Sequence, residues 1–250
     1  MTRKDPMEIK EFYKKMWDDV YAILKPYGFR RKGSSIYLVQ ENGIVKLIEL
    51  QKSSFNTQDW NQFTMNVGLA LFEMPVEPKK LHYVFMHFRY HLGESLEDGW
   101  GHQFWYNVTF PKSYTWVEDG IIHTPTHDMG PYLSMEEINA SVCKLVSEKA
   151  LPFWESIQTH ADYLALMYEN QRMYEYQSGI SLVMNMESMR MLSQIYGKEL
   201  LPFLEKNLEG RQKILENMLN SLTEEQKALQ MQTMDNDIEL IELIEELRKN

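Results

Sequence analysis

Three stretches with a period of two restrict this chain more than any other feature of it. In the run from Phe63 to Phe72, the residues Phe63, Met65, Val67, Leu69 and Leu71 fall on one side, and Thr64, Asn66, Gly68 and Ala70 on the other. The run from Tyr83 to Leu92 repeats the scheme, with Val84, Met86, Phe88, Tyr90 and Leu92 opposite His87, Arg89 and His91. From Phe104 to Phe110, the residues Phe104, Tyr106, Val108 and Phe110 oppose Trp105, Asn107 and Thr109. Successive side chains of a strand point to opposite faces, so each run predicts a strand with one greasy and one more polar side. Two further runs, SSIYLVQ and IVKLIELQ, flank Glu41-Asn42-Gly43, and an Asn-Gly pair accepts the left-handed backbone of a tight hairpin. Pro- and Gly-bearing connections separate the runs, which together predict an antiparallel β-meander.

Helical periods frame this sheet. Ile9, Phe12, Tyr13, Met16, Val20, Ile23 and Leu24 make one apolar stripe, ended by Pro26 and Gly28. From Ser134 onward the spacing predicts helices over 135–158, 160–176, 180–196, 198–220, 223–233 and 236–248. Ser134 with Glu137, and Thr223 with Gln226, fit capping boxes. The signal between residues 110 and 134 is irregular. The fold class expected is therefore α+β. The first helix and the 135–158 helix pack on the greasy face of the meander, and an all-helical C-terminal extension follows. The domains expected are 1–159, α+β, and 160–250, helical. Ala150-Leu151-Pro152-Phe153-Trp154-Glu155 echoes Leu200-Leu201-Pro202-Phe203-Leu204-Glu205, which reads as two Pro-bearing apolar helices rather than a repeat.

Charge bounds the partners. The chain of 250 residues has a formal charge of −10. Residues 1–150 hold 17 Lys and Arg against 19 Asp and Glu, a net of −2, and residues 151–250 hold 9 against 17, a net of −8. Such a surface repels DNA and anionic lipid, so neither nucleic acid nor membrane is an expected partner. Cys143 is the single cysteine, which precludes an intrachain disulfide and fits a reducing compartment. The N-terminal residues lack the apolar core of a signal peptide, and no run of about 18 apolar residues occurs. A cytoplasmic protein is expected.

The order of landmarks resembles a known family. A leading amphipathic helix runs into Gly28-Phe29-Arg30-Arg31-Lys32-Gly33-Ser34-Ser35-Ile36-Tyr37. Gln51-Lys52-Ser53 and Phe63-Thr64-Met65-Asn66-Val67-Gly68 follow, then Arg89 on a later strand and Trp105 on the next. This is similar to the bacterial domain-of-unknown-function family 4304 over roughly residues 8–155. The resemblance implies the fold and marks the polar residues of those segments for testing; it implies no activity.

Candidate sites follow from the residues. The triplet Arg30, Arg31 and Lys32 lies between two glycines, where backbone and side-chain donors can cradle an anion. The triplet also leaves a helix C-terminus, whose partial negative charge cations complement without any ligand. Six of the seven histidines fall between residues 82 and 127. His87 and His91 on one extended strand are about 13 Å apart, too far to share one metal. No metal and no cofactor is expected. The polar sides of the three runs offer Asn66, His87, Arg89, His91, Trp105 and Asn107 as a recognition face, since Trp and Arg anchor interfaces. The alternative is an ordinary covered or solvated sheet face. No catalytic motif of the serine-hydrolase, zinc-protease, P-loop or dinucleotide type occurs, and Cys143 reads as a packed helical residue.

The function expected is a non-enzymatic protein-binding module, of the immunity or antitoxin type, whose acidic surface steers a basic partner. The alternative is a small hydrolase or transferase acting on a phosphorylated or anionic substrate through the Arg and His residues. The Met-rich helices and the last segment, with Ile238, Ile241, Ile244 and Leu247 on one side, offer a route to a homodimer.

Overall fold

The computed structural model describes residues 6–54, 56, 61–92, 106–109, 116–118, 121–123, 134–174, 186–221 and 235–249. Helix α1 (Pro6–Leu24) leads into strands β1 (Arg30–Lys32), β2 (Ser35–Val39), β3 (Ile44–Lys52), β4 (Asn61–Leu71), β5 (Phe88–His91) and β6 (Tyr106–Thr109). A small hairpin of β7 (Trp116–Glu118) and β8 (Ile121–His123) follows. The helices are α2 (Met135–Leu145), α3 (Leu151–Glu155), α4 (His160–Tyr174), α5 (Met186–Tyr196), α6 (Leu201–Ser221) and α7 (Asp235–Lys249). The class is α+β. The strand expected over 83–92 is shorter than its alternation implied, beginning only at Phe88. The helix expected over 223–233 and the second capping box lie outside the described residues.

Strands β1 to β5 run in sequence order across an antiparallel sheet, and β6 pairs with β4 beyond the end of β5. The β3–β4 pair is closed at one end by the Ser53 N–H on the Gln62 carbonyl, 3.0 Å, and at the other by the Phe72 N–H on the Gly43 carbonyl, 3.0 Å. Gly43, at φ +85°, supplies the left-handed residue that the Asn-Gly pair predicts, and the Asn42 side chain accepts from the Ile44 N–H.

The chain divides into two compact units: residues 1–40, 45–69 and 77–157, and residues 41–44, 70–76 and 158–250. In the first unit the greasy face is packed by helices. Phe12 and Tyr13 of α1 meet Phe63, which stacks on Tyr106 at 5.1 Å, while Phe153 of α3 stacks on Phe88 at 5.2 Å. The Trp154 indole donates to the Gly68 carbonyl, and Lys46, buried on this side, donates to the Trp154 carbonyl at 2.5 Å. Ser134 and Glu137 form the expected capping box of α2, whose end continues through a π-turn, Val146–Ala150, into α3.

In the second unit α6 and α7 bury Phe203, Leu204, Leu240 and Ile244, and Arg248 pairs with Glu205 at 2.6 Å. Arg190 of α5 pairs with Glu239 of α7 at 3.0 Å. The Ser188 hydroxyl donates to the Leu71 carbonyl, the Glu73 N–H to the Glu187 carboxylate, and the Asn42 side chain to the Gln158 carbonyl. The echo between 150–155 and 200–205 reduces to local structure: Pro152 and Pro202 each sit in the first turn of a helix that follows a π- or 3-10 turn.

Candidate functional site

The polar sides of β4 and β5 share one face. Asn66 lies opposite His91 and Gly68 opposite Arg89 in the antiparallel register, and Asn107 lies opposite Gln62 on the same strand. Trp105 lies outside the described residues. The structure thus brings the positions of Asn66, Arg89, His91 and Asn107 onto one face, as pleat parity requires.

The basic triplet does not join them. Arg30, Arg31 and Lys32 form β1, the edge strand at the far side of the sheet, with β2, β3 and β4 between it and Arg89. At about 4.8 Å per strand the separation is about 19 Å. Gly28, at φ +87°, ends the preceding 3-10 turn by donating to the Lys25 carbonyl, and Gly33 turns β1 into β2. Arg31 is already taken: it pairs with Asp18 at 2.5 Å and lies 6.0 Å over the Trp17 ring, whose indole N–H donates to the Gly33 carbonyl. The triplet is a charged edge, and Arg30 and Lys32 are exposed there.

The polar face is not an open patch. The segment between β4 and β5 folds back over it, because Tyr83–Phe85 is a 3-10 turn rather than strand. The His82 side chain caps that turn by accepting from the Val84 N–H, and the Tyr83 N–H donates to the Glu49 carboxylate at 3.0 Å. Glu49 is buried, accepts also from the Ser35 hydroxyl at 3.2 Å, and lies 3.3 Å from His82 Nε2. Met86, expected on the greasy side, instead sits over Gly68, where an added Cβ would come within 2.3 Å of Met86 Cγ and 2.8 Å of its Cβ. A glycine inside an alternating strand commonly marks such a close approach. Gly68→Ala is expected to displace this segment and lower stability by about 2 kcal/mol, read from the urea midpoint. An unchanged midpoint would mean the fold-back does not hold in solution.

Under this cover Asn66 is 1% exposed; its amide donates to the Gln51 side chain at 2.6 Å, and its Oδ1 has no hydrogen-bond partner among the described residues. His87 is buried as well. Burial, reinforced by the nearby charges of Lys80 and Arg89, brings its pKa down from 6.5 to about 3, so it is neutral near pH 7. Arg89 is half-buried, with its guanidinium carbon 5.7 Å from the centre of the Tyr83 ring. Among the described residues no group of three His, Cys, Asp or Glu converges as a metal would require, and burial raises the Cys143 thiol pKa. His102 and His127 lie outside the described residues. No helix of the described residues is long and apolar enough to cross a membrane.

Residues 20–156 match the family described as Domain of unknown function (DUF4304). The chain belongs to this family. The match begins inside α1 and ends just past α3, so the DUF4304 segment holds strands β1 to β6, the fold-back over the polar face and helices α2 and α3, while Phe12 and Tyr13 of α1 lie before it. No curated protein and no solved structure matches the chain.

The sequence reading missed Glu49, Lys80, His82 and Tyr83 as parts of this face. The signals available were Gly68 in mid-strand and the pair Pro75 and Pro78, which end strand pairing just before the fold-back.

Proposed function

We propose that the protein is a non-catalytic binding module of the immunity or antitoxin type, taking a basic protein partner on the fold-back segment of its DUF4304 region. The observation that carries this reading is the exposure of Val84 and Phe85, 58% and 47%, on a turn whose neighbours are held to the sheet. A fixed, exposed aromatic has the character of an interface anchor, and preorganisation lowers the entropy cost of binding. The charge of −10 favours a cationic partner and speeds encounter with it. A buried neutral His87 and a half-buried Cys143 with a raised pKa offer little acid–base or nucleophilic chemistry.

Phe85→Asp tests the proposal. Proteins retained from the native host by the wild type are compared with those retained by the variant, with identical melting curves as the folding control. A basic protein held by the wild type is expected to bind the variant about 30-fold or more weakly, as loss of an anchor worth about 2 kcal/mol implies. Retained proteins that do not differ between the two overturn the proposal. A homodimer is the second reading, favoured by Ile238 and Ile241, 55% and 39% exposed and one helical turn apart on α7. Sedimentation equilibrium decides it: a dimer that Ile238→Glu dissociates supports it, and a monomer removes it.

A further inference from the structure

His82 stands at the head of the fold-back turn with both ring nitrogens engaged and 52% of its side chain open to water. Its Nδ1 accepts from the Val84 N–H at 3.3 Å, and its Nε2 lies 3.3 Å from the Glu49 carboxylate. A backbone N–H can only donate and an ionised carboxylate can only accept. The two contacts therefore select one form of the ring, neutral and with its proton on Nε2. Glu49 is not free to follow a movement of the ring. It is buried, and its other oxygen accepts from the Ser35 hydroxyl at 3.2 Å and the Tyr83 N–H at 3.0 Å.

Only Nδ1 is left to take up a second proton, and that proton meets the Val84 N–H, donor against donor. The cap is then lost, whereas the contact of Nε2 with Glu49 gains a full charge and strengthens. Val84 is exposed, so its freed N–H passes to water instead of going unmet. The turn is left with its backbone bonds, from the Phe85 N–H to the His82 carbonyl and from the Met86 N–H to the Tyr83 carbonyl, both 3.0 Å. The charged groups supplied by the surrounding elements are Glu49 from β3, Arg89 from β5, and Glu77, Lys79 and Lys80 from the fold-back, residues 77–86. Of these, Glu49 is the ion-pair partner of the ring, and Glu77 and Lys79 pair with each other at 2.8 Å. We propose that His82 is a proton-operated latch on the turn that carries Val84 and Phe85. Neutral, it caps the turn; protonated, it releases Val84 and stays on Glu49. The bearing of this latch on partner binding rests on the role proposed above for Phe85.

Nuclear magnetic resonance of the full chain between about pH 8 and pH 5 tests the latch. The His82 ring is expected to titrate in this range, and the Val84 and Phe85 amide signals to shift with the same midpoint. Protection of the Val84 N–H from exchange is expected to fall about fivefold, as loss of one hydrogen bond implies. His82→Gln, whose amide can both accept and donate, is expected to remove the shift of both amides. A ring that titrates while Val84 stays fixed overturns the proposal, and so does a ring that stays neutral across the range. An amide shift that persists in the variant overturns it too. Should the variant not fold, agreement or disagreement of the ring and amide midpoints in the wild type decides. These readouts are taken without a partner, so they stand or fall apart from Phe85 as an anchor.

Discussion

Gly43→Ala is expected to cost about 3 kcal/mol or more, since it adds a methyl group to a left-handed residue in a closed turn. Gly43 holds φ at +85°, where an L-residue is disfavoured by about 1–2 kcal/mol. The added Cβ would also lie 2.1 Å from the Phe72 carbonyl oxygen, a backbone atom that cannot swing aside. Relief requires the turn to part from the end of β4, which breaks the Phe72 N–H bond to the Gly43 carbonyl. Losing a buried backbone bond adds about 1–3 kcal/mol. Asn42, next to it, anchors the Gln158 carbonyl and takes a 2.7 Å bond from His160 on its own carbonyl, so displacement of the turn disturbs the start of α4 as well. Urea unfolding measures the effect; a loss under about 1 kcal/mol would show that the turn adjusts without parting.

Stability is expected to fall with pH through the His87 imidazole. Its pKa is about 3 in the folded chain against 6.5 when unfolded. Between those values the unfolded state binds the extra proton, so acidification favours unfolding. The stabilisation is complete above about pH 6.5, erodes by at most about 1.4 kcal/mol per pH unit as pH falls, and is gone near pH 3. Moving from pH 6.5 to 5 removes about 2 kcal/mol on this account. His87→Leu abolishes the titration, so its stability at pH 5 and pH 7 should differ less than that of the wild type by about that amount. Equal differences for the two proteins would mean that His87 is hydrated in solution.

Much of the fold was legible in the sequence because β-sheet parity is a local rule. The alternation at Phe63–Phe72 put Phe63, Met65, Val67 and Leu69 in the core, and all are buried. The same rule put Asn66 and Gly68 on the polar side of one run and Arg89 and His91 on the polar side of another, and the register sets Asn66 opposite His91 and Gly68 opposite Arg89. It failed at Tyr83–His87, where alternation continues but the chain is not yet in the sheet. There the deciding forces are non-local: a cap from His82, an N–H taken by Glu49 from another hairpin, and a space over Gly68 that admits Met86. None of these has a period. The polar face was therefore legible as a set of residues and illegible as a covered surface, since its cover comes from a segment that reads as strand. The separation of the basic triplet from Arg89 depended on strand order, which composition does not encode.

The short first strand has a consequence for the chain among its own copies. A sheet flank with unmet N–H and C=O groups invites another molecule to extend it. Here that flank is three residues long and carries Arg30 and Lys32 exposed to water. A second molecule approaching in the same way would set like charges against like at the spacing of paired strands. Growth of the sheet from molecule to molecule is thus opposed at the side where the meander begins.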